Sequence, residues 1–217
     1  MMDPFRLCVA LGPLAIYLLA LALTNFSRRP VVVSGARDTA GLGFATSGLL
    51  FVGPIELGLQ LMPISDPRYA WILILILYSL FVTLAVLLAA PRIVVYNVAL
   101  ERLRPALADV INDLDPGARW AGGSVAMPRL HVEFYLDEHA SVRNVSLVAS
   151  ATPQSYAGWR MLERTLRAEL RKSVESSPNL WGVGALVAAL AMFGRMGWLV
   201  RFEHEKITQA FQEMLRL

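Results

Sequence analysis

Hydrophobic positions divide the chain into long uncharged stretches and one polar region in which apolar residues recur periodically. Trp71 to Ala90, WILILILYSLFVTLAVLLAA, has no charge and only Ser79 and Thr83 as hydroxyl interruptions. A bilayer span needs about 20 residues at about 1.5 Å rise each, so this run is long enough to cross. Pro91 ends it, and Tyr69 and Trp71 suit the interface belt, which predicts a span over about residues 70–90.

A further run, Leu7 to Ser27, lies between Arg6 and Arg28-Arg29. Ala20-Leu21-Ala22 mimics a signal-peptide cleavage site. The apolar stretch nevertheless exceeds the roughly 7–15 residues of a signal core, and the cut would fall inside it, which favours a span over 7–27. After Ser177-Pro178-Asn179, a helix start, Leu180 to Gly194 is uncharged; Arg195 then interrupts before Met196 to Val200. The segment reads as a span from which Arg195 snorkels, or as a helix lying in the interface.

Ala40 to Met62, AGLGFATSGLLFVGPIELGLQLM, carries Glu56 as its one charge and has Gly53-Pro54 near its middle. Proline breaks the backbone ladder there, and each half is too short to cross alone. Three readings stay open: a kinked span, a re-entrant hairpin, or an apolar segment packed on other helices.

From Arg92 to Ser177 the pattern becomes that of a folded domain. Between Val98 and Leu114 the apolar positions Leu100, Leu103, Leu107, Val110, Ile111 and Leu114 have amphipathic-helix spacing. Pro105 predicts a kink, or a helix start near Arg104. Asp115-Pro116-Gly117 stops the helix.

Leu130 to Asp137 alternates, with Leu130, Val132, Phe134 and Leu136 on one face and His131, Glu133, Tyr135 and Asp137 on the other. Val142 to Ser150 is a second strand, and a turn through Glu138–Ser141 would pair Phe134 with Val145 and Val132 with Leu147. Trp120 to Met127 is the expected third strand, weakened by Gly122-Gly123. A second helix after Pro153 places Trp159, Leu162, Leu166 and Leu170 on its inner stripe.

The expected fold is therefore a membrane protein with α-helical transmembrane segments and a small α+β domain: helix, three-stranded antiparallel sheet, helix. Residues 1–91 form the membrane region, 92–177 the domain, and 178–217 a C-terminal membrane or interfacial helix with its tail.

Composition agrees. Hydrophobic residues make up 56% and charged ones 17%, against about 25% charged in soluble domains. A net charge of +3 gives no footprint for nucleic acid. Among the basic residues only Lys172 and Lys206 are lysine; that arginine excess points to a bacterial chain and hence to the inner membrane. The single cysteine, Cys8, allows neither an internal disulfide nor a cysteine metal cluster.

Orientation follows from arginine and lysine counts near the apolar ends. Three spans put nine basic residues on the domain's side and seven opposite; a fourth span through 40–62 changes this to eleven and five. Either way the positive-inside rule places the domain in the cytoplasm.

Signatures of chemistry are sparse. The chain has no GK[ST] phosphate loop, HExxH, CxxC or GxSxG, and Gly41-Leu42-Gly43 lacks the third glycine of a dinucleotide fingerprint. No catalytic residue, metal or cofactor is assigned. His131, Glu133, Tyr135 and Asp137 would suit a membrane-bound enzyme, but polar residues are what the solvent face of a half-buried sheet requires. Glu56, a carboxylate in an apolar segment, would serve a small transporter or channel component, and Arg195 admits the same reading.

Arg160, Arg164, Arg167 and Arg171 form a basic stripe suited to lipid headgroups or an acidic partner. A non-enzymatic scaffold or interaction module is the leading expectation. Its surroundings are the lipid bilayer, and its partner is a second copy or another membrane protein.

Overall fold

The computed structural model describes residues 4–55, 67–139, 143–150, 153–173 and 180–216. Glu56 and the remainder of the 40–62 segment after it lie outside them. Two compact units emerge: residues 22–38 with 88–183, and residues 1–21, 39–87 and 184–217.

In the first unit six strands form one antiparallel sheet, not the expected three. These are β1 (Val31–Ser34), β2 (Arg92–Tyr96), β3 (Arg119–Ala121), β4 (Ser124–Met127), β5 (Val132–His139) and β6 (Asn144–Ala149). Their order across the sheet is β1-β2-β6-β5-β4-β3. Val31-Val32-Val33 and Ile93-Val94-Val95 are β-branched runs that favour strands but do not alternate, because residues on both faces of β2 are buried. The region expected as one strand over Trp120–Met127 is a hairpin instead. Gly122-Gly123 is its two-residue turn, and Gly122 takes φ +62°, a conformation glycine adopts without penalty.

The β5–β6 register also differs from expectation. Phe134 pairs with Ala149, Leu136 with Leu147 and Glu138 with Val145. The shift is four residues along β6, an even number, so the apolar faces still coincide. A one-residue slip would have turned β6 over.

α4 (Leu100–Leu114) and α5 (Tyr156–Ser173) cover one sheet face. Pro105 lies inside α4, which begins at Leu100 rather than near Arg104. Leu103, Leu107 and Ile111 from α4, and Trp159, Leu162, Leu166 and Leu170 from α5, meet Ile93, Val95, Val132, Phe134, Val145 and Leu147 in one buried core. Phe134 packs on Trp159 with ring centroids 6.0 Å apart.

The second unit takes the N-terminal part of α1 (Pro4–Phe26) and most of α2 (Gly35–Leu50) and α3 (Pro67–Leu88). Most of α6 (Leu180–Phe202) and all of α7 (His204–Arg216) complete it. Three described helices are long and apolar enough to cross a membrane, judged by length and composition: α1, Trp71–Leu88 of α3, and α6. No residue of that α3 window is buried.

Residues 40–50 belong to α2, which presents small side chains to its neighbours. A Cβ on Gly48 would stand 2.1 Å from the Val9 carbonyl oxygen of α1, and one on Gly43 would stand 2.9 Å from Val82 of α3. Small residues let helix backbones approach this closely. The Tyr78 hydroxyl donates to the Gly43 carbonyl at 2.5 Å and Phe51 stacks edge-on against Tyr78, locking α3 to the end of α2. Phe51–Ile55 is a π-helical turn containing Gly53-Pro54.

Candidate functional site

A cleft of about 580 Å³ opens beside β1, the edge strand. Arg29, Arg37, Arg167 and Arg171 line it, together with Ser27 and residues 30–33, and no acidic side chain is among the lining residues.

The α5 stripe Leu162, Leu166 and Leu170 is fully buried against the sheet. Arg167 and Arg171 follow that stripe by one position and flank it on the β1 side. Arg167 Nη2 donates to the Val32 carbonyl at 3.1 Å and to Glu163 at 2.6 Å. The first bond shows that the Val32 carbonyl faces the free edge of β1. In an extended strand the N–H of the same residue points the same way, so the Val32 amide faces that edge too.

Arg160 and Arg164 are exposed and do not line the cleft. All four arginines share one side of α5, but Arg160 lies about 10 Å before Arg167 along the axis at ~1.5 Å per residue. Only the C-terminal pair overhangs β1.

Arg29 and Arg37 bracket β1. Arg29 comes three residues after Phe26, the last residue of α1. Arg37 stands at the start of α2, where the chain leaves β1 through Gly35. A Cβ on Gly35 would lie 2.1 Å from Arg92 Cγ, so glycine is required for the chain to pass. The next carboxylate, Asp38, accepts from Arg92 Nη2 at 2.7 Å and from the Tyr96 hydroxyl at 2.5 Å. Asp38 is thus engaged by β2 and fixes the start of α2, leaving its neighbour Arg37 exposed. Among the described residues, Arg29, Arg37 and Arg171 have no ion pair.

The other candidates are scattered. His131 is not on the β5 face: the strand begins at Val132, and His131 occupies the preceding turn with φ +53°. Glu133 and Tyr135 are exposed on the outer sheet face. Asp137 and His139 approach to 4.0 Å with both side chains about half exposed. Among the described residues no three His, Cys, Asp or Glu side chains gather as a metal site would require. In α6 the Arg195 guanidinium lies 4.9 Å from the centre of the Trp198 ring, a cation–π contact between two exposed side chains.

The sequence puts Arg167 and Arg171 on a basic face but gives Arg29 and Arg37, which count there only as charges flanking the spans, no link to it. No local pattern joins them, because only the docking of β1 onto β2 brings them to α5. The chain matches no known family model, and neither a similar curated protein nor a similar solved structure accompanies it.

Proposed function

We propose that this chain is a multi-pass protein of the bacterial inner membrane whose α+β domain faces the cytoplasm as a non-enzymatic interaction module. Its partner is another membrane protein or a second copy. The observation that carries the reading is the contrast between its parts. The domain closes a complete core of its own, with Phe134, Leu147 and Leu166 fully buried, whereas the Trp71–Leu88 window of α3 buries none of its residues. An apolar helix without cover needs lipid, since exposed apolar surface of that size is unfavourable in water.

The charged side chains that line the cleft beside β1 are all arginines. Guanidinium stays charged at all ordinary pH and holds anions; it does not shuttle protons. That supports a binding role over a catalytic one.

A test is site-specific photo-crosslinking from Tyr135, which is 42% exposed on the outer sheet face, in cells carrying the full chain. A discrete crosslinked product, to a second copy or to one membrane protein, is expected, with the chain remaining in the membrane after alkaline carbonate extraction. Release by carbonate would overturn the membrane assignment. Firm membrane retention with no discrete product would overturn the interaction role.

A further inference from the structure

The geometry points to a specific site: we propose that the cleft of Arg29, Arg37, Arg167 and Arg171 beside β1 binds the phosphate group of an anionic ligand. Four guanidinium side chains face one space of about 580 Å³ that no acidic residue lines. Glu163 offsets Arg167, but Arg29, Arg37 and Arg171 remain without ion pairs among the described residues, so three positive charges converge uncompensated. Like charges brought together repel, and an anion relieves that repulsion.

The site is also partly organised in advance. Both bonds of Arg167 use Nη2, to Val32 and to Glu163. The guanidinium plane is thereby fixed while its Nε and Nη1 donors are left for a ligand. Planar, multidentate donors of this kind match phosphate oxygens better than lysine ammonium does. The Val32 amide on the same edge adds a backbone donor.

The phosphate has two sources, an anionic lipid headgroup or a soluble phosphate compound. Chain connectivity favours the headgroup. Arg29 follows the end of α1 by three residues, a reach of at most about 10 Å. The headgroup source rests on the membrane setting proposed above; phosphate recognition itself does not.

Two arms on the full-length protein separate them. In the first, nanodiscs of phosphatidylcholine with increasing phosphatidylglycerol are used, and retained lipid is counted by native mass spectrometry. In the second, detergent-solubilised protein is titrated with inorganic phosphate and pyrophosphate and followed by thermal shift and phosphorus NMR. Saturable wild-type binding is expected in at least one arm. Arg37→Gln with Arg171→Gln should weaken it by about tenfold or more, at least one charge-assisted hydrogen bond's worth. Arg160→Gln with Arg164→Gln should leave it unchanged.

Both pairs are exposed, and far-UV circular dichroism confirms that each variant is folded. Binding only in the first arm names the headgroup; binding only in the second names a soluble phosphate. Absence of saturable binding in both arms, or equal losses in the two double variants, would overturn the site.

Discussion

Asn97 reaches back across the domain to Asn25: its Nδ2 donates to the Asn25 carbonyl at 3.1 Å and to the Ser27 carbonyl at 2.9 Å. The last carbonyls of a helix lack intrahelical partners, and here a side chain just after β2 satisfies those at the end of α1. Asn97 has φ +61° and is 1% exposed. Asparagine tolerates the left-handed region better than most residues.

Two substitutions separate the hydrogen bonds from the backbone conformation. Asn97→Gly keeps the φ freedom and loses only the side-chain bonds, at about 1–3 kcal/mol for two buried partners. Asn97→Ala adds a left-handed penalty of about 1 kcal/mol. Thermal unfolding of the full chain in detergent should rank wild type above Asn97→Gly above Asn97→Ala. Equal midpoints for the two variants would mean that the backbone conformation carries no penalty.

Phe134 is fully buried between sheet and helices, whereas its neighbour Glu133 is exposed on the opposite face. Phe134→Ala should therefore destabilise the domain by about 3–5 kcal/mol. Glu133→Ala should stay within roughly 0.5 kcal/mol of wild type. Chemical denaturation followed by tryptophan fluorescence reports both, since Phe134 contacts Trp159. Comparable losses would show that the outer face is itself covered.

Much of this was legible in the sequence, for physical reasons that also mark where legibility stopped. The stripe Trp159, Leu162, Leu166 and Leu170 is buried as its helical spacing requires. Alternation in β5 and β6 marks which residues face inward, yet alternation has period two and cannot distinguish a register from one shifted by four residues or any other even number. Phe134 consequently faces Ala149 rather than Val145. β1 and β2 escaped because Val31-Val32-Val33 and Ile93-Val94-Val95 carry no alternation and adjoin long apolar helices. The arginine cleft depended on that same missing strand, so its N-terminal half was invisible.

Glycines test the packing from another side. A Cβ on Gly158 in α5 would meet the Leu130 carbonyl oxygen at 2.5 Å and Val132 Cγ2 at 2.7 Å, while one on Gly184 in α6 would meet nothing within 4 Å. Helix propensity alone makes Gly→Ala favourable by about 1 kcal/mol. Gly184→Ala should be neutral or mildly stabilising. Gly158→Ala should lower stability, because backbone atoms on β5's approach cannot move aside without disturbing the core. A stabilised Gly158→Ala would mean that α5 sits farther from β5 than these distances imply.

Orientation of the domain is the prediction on which the proposed role depends. β1 belongs to the domain's sheet, so Arg28, Arg29 and Arg37 stand with the domain and the count that applies is eleven basic residues on its side against five opposite; positive charge is retained in the cytoplasm. The Asp137 side chain is 48% exposed, so Asp137→Cys reports accessibility without disturbing the core. In a background where Cys8→Ser removes the native thiol, an impermeant maleimide should leave intact cells unlabelled. Permeabilised cells should be labelled fully. Arg92, Arg102 and Arg104 follow α3 on the domain side. Neutralising them to glutamine takes three from the eleven, leaving eight against five, so intact cells should still exclude the label. Full labelling of the unneutralised variant in intact cells would put the domain outside. A cytoplasmic partner would then be impossible, and the arginine cleft would face the outer leaflet.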